Sequence, residues 1–185
     1  MAQTQEIYAT TFIRRQHDQI RDLFDAMENA APEDRAEAFE PLVRLLAVHE
    51  TAEEMVIYPA AAKGETGTEI VEQRKAEEDA AKKALADLEK LDPTTAEFGA
   101  AFAQLRADVL SHAEAEEEEV LPLLTEVADA DELKRMTAKL EVAEAMAPTH
   151  PHKTAPESRA GNLVMGPFVG MVDRVRDAIR DARKD

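Results

Sequence analysis

The sequence predicts an all-α protein, an up-down antiparallel four-helix bundle with extra C-terminal helices. Three observations carry this. Ala, Glu, Leu, Asp and Lys dominate the chain and aromatic residues make up only 4% of it, a composition that favours helix over strand. Apolar residues recur at spacings of three and four along four long stretches, the rhythm of helices with one buried face. Finally, one motif occurs twice. His49-Glu50-Thr51-Ala52-Glu53-Glu54-Met55-Val56-Ile57-Tyr58-Pro59 returns as His112-Ala113-Glu114-Ala115-Glu116-Glu117-Glu118-Glu119-Val120-Leu121-Pro122, with His-to-Glu spacing of four and His-to-Pro spacing of ten in both copies.

The first helix is expected over about residues 5–29, with Ile13, His17, Ile20, Phe24 and Met27 on one face. Ala30-Ala31-Pro32 ends it, and a second helix follows over 32–61 through Phe39, Leu42, Leu46, His49, Glu53 and Val56. A connection this short makes the two antiparallel neighbours. Gly64 and Gly67 mark a loop; a third helix over 68–91 turns Val71, Arg74, Glu78, Ala81, Leu85 and Leu88 inward. Asp92-Pro93-Thr94-Thr95 is a turn and N-cap before a fourth helix over 96–126, with Phe102, Leu105, Val109, His112 and Glu116 on its face. Pro59 and Pro122 are expected to kink or end their helices. A short fifth helix over 131–147 uses Leu133, Met136 and Leu140, with Val142 or Ala143 completing its side. Residues 148–156, rich in Pro, read as an extended segment, and 168–182 as an amphipathic helix through Val172, Val175 and Ile179. The expected organisation is a bundle with its fifth helix over 1–147 and an appendage over 148–185 that packs on the bundle or on a partner.

The repeat extends beyond the motif. His17 precedes His49 by 32 residues and Glu78 precedes His112 by 34, so the chain reads as two similar hairpins in series. Two hairpins related by a pseudo-twofold put one polar residue from each helix at the same depth. His17, His49, Glu53, Glu78, His112 and Glu116 all continue apolar stripes. Buried ionisable groups cost several kcal/mol each when unpartnered, and metal ions that neutralise carboxylates and hold imidazoles account for them together. A lone inward His is most often a hydrogen-bonded core residue, and a Glu within a run such as Glu116 to Glu119 is usually solvated. Two matched His-x-x-x-Glu pairs with Pro at one offset favour ligation. Glu50, Glu54, Glu114, Glu117, Glu118 and Glu119 are expected in solvent or behind the ligands.

Composition bounds the function. The chain carries 22 Lys and Arg against 39 Asp and Glu, a net charge of −17, which disfavours nucleic acid and anionic membranes as partners. The absence of cysteine removes disulfides, thiol catalysis and iron–sulfur clusters. No cleavable leader pattern or membrane-length apolar run is visible, so a cytoplasmic protein is expected.

His17, His49-x-x-x-Glu53, a third-helix position and His112-x-x-x-Glu116 resemble the hemerythrin-like, or HHE cation-binding, family across nearly the whole chain. The tail, Ala147 to His152 with Val172 to Asp177, is similar to a bacterial subgroup of that family. The resemblance implies a four-helix bundle holding two iron ions, oxo- or hydroxo-bridged, with Glu53 and Glu116 bridging and His17, His49 and His112 as terminal ligands; manganese or zinc are alternatives. It implies a small-molecule partner (hydrogen peroxide, dioxygen or nitric oxide) in a monomer or homodimer. The catalytic apparatus would be the metal site itself, with peroxide decomposition the reaction if the protein is an enzyme and oxygen, redox or stress sensing if it is not. One departure stands out: the family pattern expects His where this chain has Glu78, and Arg74 stands at the next inward position. Either Glu78 ligates, which suits a hard ion such as iron or manganese, or it pairs with Arg74. Tyr58 is nine residues after His49, about 180° away on an ideal helix, so it is expected to pack unless Pro59 distorts the turn. His150 and His152 read as surface or hydrogen-bonded residues.

Overall fold

A computed structural model of the chain describes residues 8–145 and 166–182. The extended segment expected over 148–156, with His150 and His152, lies outside the described residues. Four helical arms form the bundle: α1 (Ala9–Asn29), α2 (Arg35–Ala52) continued by α3 (Tyr58–Ala61), α4 (Gly67–Leu88), and α5 (Ala96–Ala115) continued by α6 (Leu121–Val127). Two more helices follow, α7 (Ala130–Ala145) and α8 (Gly166–Asp181). There is no strand among the described residues.

The connections are short and locally encoded. Pro32–Asp34 form a 3₁₀ turn that opens α2, using the preset φ of Pro32 at the first helical position. Thr95 caps α5: its Oγ1 accepts from the Phe98 amide at 3.2 Å, satisfying one of the free amides of the first turn. Gly67 starts α4 where a Cβ would stand 2.0 Å from the Ala61 carbonyl oxygen, so the approach of α3 to α4 admits no side chain there.

Of the two effects expected of the prolines, termination does not occur and a local distortion of the helix does. Pro59 and Pro122 end neither arm. Each follows a π turn, Glu53–Ile57 and Glu116–Val120, and the helix continues beyond it. Proline lacks an N–H and its ring collides with the carbonyl four residues back; a turn widened by one residue relieves both problems. The widening is visible in the amides of Tyr58 and Leu121, which bond to the carbonyls of Glu53 and Glu116.

The α1 helix packs on α2 and α4 on α5, with further contact between α1 and α5 and between α3 and α6. Their inward stripes form two apolar clusters. One holds Ile20, Phe24, Met27, Leu42, Leu46, Phe98, Phe102 and Leu105, with Phe24 and Phe102 tilted together at 5.5 Å. The other holds Phe12, Ile13, Val48, Ile57, Tyr58, Val120 and Leu124. Between them lies a layer of buried polar groups. The second cluster extends into α7 through Leu140 and Ala143 and into α8 through Met171, Val175 and Ile179. The α7 helix lies against α1 and α2, and α8 runs along α2 and touches α7.

Two glycines test the local packing with opposite sign. An added Cβ at Gly99, inside α5, meets nothing within 4 Å; Gly99→Ala is expected to stabilise the chain by about 0.5–1 kcal/mol. Gly67→Ala must push α4 off Ala61 and is expected to destabilise by about 1–3 kcal/mol. Urea denaturation of the two variants measures both.

Candidate metal centre

The polar layer is contributed by all four arms. Two groups of donor atoms, each with members within 4.8 Å of one another, lie side by side: His17, His49, Glu53 and Glu116, and Glu53, Glu78, His112 and Glu116. Glu53 and Glu116 belong to both. All six residues singled out on the inward stripes therefore meet. His112 is half-buried and the other five are buried.

Each imidazole has one engaged nitrogen and one that faces the layer. His17 Nδ1 is 2.9 Å from Glu117 Oε1, His112 Nδ1 3.0 Å from Glu77 Oε2, and His49 Nδ1 3.1 Å from Gln16 Oε1. Carboxylate and amide oxygens only accept, so each ring donates through Nδ1–H and keeps a lone pair on Nε2. The Nε2 atoms stand close to carboxylate oxygens: His17 3.3 Å and His112 3.5 Å from Glu116 Oε2, and His49 3.2 Å from Glu53 Oε2. Lone pairs thus face lone pairs. His17 Nε2, His112 Nε2, Glu53 Oε2, Glu78 Oε1 and Glu116 Oε2 are buried with no hydrogen-bond partner. Cations between them satisfy all of these atoms at once, so the residues present fit a metal centre.

The electrostatics follow from crowding. Burial, then the nearby His17, pushes His49 down to about 3, which keeps it neutral. Burial and the charge of Glu116 push Glu53 well above the carboxylate range. Burial also acts to raise Glu116, but the approach of His17, then of His112 and His49, acts the other way and holds Glu116 low, a pull that operates where a ring carries a proton towards it. Burial raises Glu78 to about 8 against the opposing pull of the Tyr58 hydroxyl and Lys82.

Tyr58 is where packing and chemistry meet. The π turn after Glu53 sets the following residues back by roughly a quarter turn, and the Tyr58 hydroxyl donates to Glu116 Oε1 at 2.6 Å. The distortion that Pro59 was able to cause is the one observed. Arg74 is also buried, but its partner is Glu77, at 2.9 Å; no ion pair joins it to Glu78 among the described residues. Glu78 instead meets Lys82, 3.3 Å away. Of the carboxylates expected in solvent or behind the ligands, Glu50 is buried, Glu117 holds His17, and Glu54 holds Lys82 at 2.6 Å.

Gln16, Glu77 and Lys82 each fall three or four residues from members of the inward faces, so periodicity permits them there but does not single them out among the polar residues at the edges of those faces. A signal existed for two of them. Gln16 and Glu77 each precede the first polar residue of their hairpin, His17 and Glu78, and each serves the histidine of the paired helix. A cavity of about 390 Å³ adjoins the layer, with His17, His49, Glu78 and His112 among its lining, Ile20, Leu46 and Val109 on its walls, and Glu77 and Asp108 also lining it. Phe24, expected on the same inward face, lies in the aromatic cluster instead of lining this space.

A sequence model described as the hemerythrin HHE cation-binding domain matches residues 8–124. The chain belongs to that family. Among curated proteins, an uncharacterized hemerythrin-like protein of Schizosaccharomyces pombe is 30% identical over 134 residues, 71% of this chain and 66%, just under two thirds, of that protein's length. Among solved structures, a hemerythrin HHE cation-binding domain-containing protein from Mycobacterium kansasii superposes with a TM-score of 0.67 and 22% identity, covering 76% of this chain and 89% of that one. At that identity the likeness speaks for the fold. The chain is thus a hemerythrin-like cation-binding domain with a buried cluster of histidines and glutamates that could hold metal, and no helix among the described residues is long and apolar enough to cross a membrane.

The titration of the layer makes a prediction with a definite sign. Glu78 has a folded pKa of about 8 against an ordinary 4.5, so its contribution to stability is full below 4.5 and lost as pH rises through 8. His49, lowered from 6.5 to about 3, acts in the opposite direction, but only below 6.5. Metal-free protein is therefore expected to lose melting temperature between pH 6.5 and pH 8. Bound metal replaces the proton, so loaded protein should lack this loss. Calorimetry of chelator-treated and metal-loaded samples across that range measures the difference.

Proposed function

We propose that this hemerythrin-like chain is a non-haem di-iron protein that binds and reacts with a small oxidant, hydrogen peroxide foremost, with dioxygen and nitric oxide as the other candidates. The observation that carries the reading is the set of orphaned donor atoms converging beside a cavity. In this reading His17 and His49 hold one ion, Glu78 and His112 the other, and Glu53 and Glu116 belong to both. Carboxylate and imidazole donors suit iron or manganese and tolerate zinc. Bound iron would relay two electrons from one hydrogen peroxide, which leaves as dioxygen, to a second, which becomes two waters.

The chain's own residues select and prepare. Ile20, Leu46 and Val109 keep the cavity walls apolar. Glu77 and Asp108 add carboxylates to its lining, which disfavours anions and leaves neutral peroxide, dioxygen and nitric oxide unopposed. Tyr58 engages one oxygen of Glu116 and leaves Oε2 to the layer. Glu77, Gln16 and Glu117 fix the imidazole tautomers and ring orientations. Glu78 adds a third carboxylate oxygen to the donor set, which suits a hard ion such as iron.

A second reading, a non-catalytic metal, redox or oxygen sensor, draws on one contact. Arg176 of α8 lies 3.4 Å from Glu54, next to Glu53, so α8 docks within reach of the centre. That reading expects no turnover and a tail whose docking follows metal or oxidation state.

Protein purified from iron-replete cells is expected to carry two irons per chain, to absorb in the near-ultraviolet as di-ferric centres do, and to release dioxygen from peroxide. Metal-free protein from such cells would sink the proposal. Replacing His49 and His112 together by Ala should remove the iron and the activity while the helical circular dichroism persists.

A further inference from the structure

We propose that Glu78 and Lys82 act together as a surrogate imidazole: one carboxylate oxygen left for the metal, the other engaged and its charge cancelled by the ammonium. This rests on the reading of Glu78 as a ligand. Lys82 is then a positioning residue for the second metal position, a role the helical pattern of the chain does not disclose.

The pseudo-twofold points to this role. Matching the two hairpins pairs Gln16 with Glu77, His17 with Glu78, His49 with His112, Glu53 with Glu116, and Glu54 with Glu117. The contacts obey the same pairing. Gln16 supports His49, and Glu77 supports His112. Glu117 accepts from His17 Nδ1 at 2.9 Å. By symmetry Glu54 should support Glu78, and two carboxylates cannot do so directly. Lys82 stands between them, with Nζ 2.6 Å from Glu54 Oε1 and 3.3 Å from Glu78 Oε2. It also lies 3.7 Å from Glu50 Oε2 and 3.9 Å from Asp79 Oδ1. The two outer carboxylates are backed alike: Glu117 by Arg14 at 3.4 Å and Arg21 at 3.3 Å, Glu54 by Arg176 at 3.4 Å.

The chemistry of the two arrangements matches. A neutral imidazole offers one lone pair and holds a carboxylate through its far nitrogen. A bare glutamate offers two oxygens and a full negative charge, so it can chelate. With Lys82 on Oε2, Glu78 keeps only Oε1, which is buried and has no hydrogen-bond partner. The pair is neutral overall, and Glu78 offers one unengaged oxygen where a bare carboxylate would offer two. The bland alternative is an ordinary half-exposed ion pair between Lys82 and Glu54, of little consequence to the centre.

The test is anaerobic titration of the full chain with ferrous ion by calorimetry. Lys82→Met, with Lys82→Gln as a second neutral variant, removes the charge and frees Glu78 to chelate. The second ion is expected to bind tighter by roughly tenfold or more, and Lys82→Arg should stay near the wild-type affinity. In a Glu78→Gln background the same loss of charge should change the affinity by less than about threefold, because the half-exposed ammonium is screened. An unchanged second affinity in both neutral variants, or equal tightening with and without Glu78, overturns the surrogate. If Glu78→Gln itself leaves the second ion bound as in the wild type, the ligand reading fails as well, and the two failures are told apart.

Discussion

Everything else in this bundle depends on the burial of carboxylates and imidazoles in one layer between two apolar clusters. An unpartnered buried charge costs several kcal/mol, whereas a whole domain is stable by only about 5–15 kcal/mol. Such a layer is tolerable only if it is answered from outside or from within. Both answers are present. Glu117, Gln16, Glu77 and Lys82 meet the outward atoms of His17, His49, His112 and Glu78. The inward atoms meet one another and remain unsatisfied, which is the state a cation completes in a hemerythrin-like domain.

The backbone is adapted to the same end. Glu53 and Glu116 each open a π turn, and each turn is followed by a proline. The widened turn absorbs the missing proline donor and at the same time rotates the residues beyond it. Tyr58 thereby reaches Glu116 across the bundle rather than packing on the far side of α2. One local defect, used in both hairpins, carries the helix through the layer without breaking it.

The centre is asymmetric although the scaffold nearly is not. One half presents imidazoles from His17 and His49, the other an imidazole from His112 and a carboxylate from Glu78. Glu78 has burial working against its ionisation, and Lys82 works in the other direction. Lys82 in turn leans on Glu54, where Arg176 of α8 also arrives. The C-terminal helix is therefore connected to the layer through side-chain charge as well as through the apolar contacts of Met171, Val175 and Ile179.

Helical periodicity in the sequence was sufficient to read the bundle, the short connections and the depth at which His17, His49, Glu53, Glu78, His112 and Glu116 lie, because spacing on one helix determines which side chains share its inward face. The repeat also showed that two hairpins bring these residues to one level. It did not show who stands opposite whom. Arg74 turned to Glu77 rather than Glu78, Lys82 came to Glu78 from the next turn, and Tyr58 swung inward through a π turn. Those outcomes depend on separations between helices, on rotamers and on a local change of twist. Only the packed tertiary structure sets these, because each is decided by the space and charge that the other three arms leave.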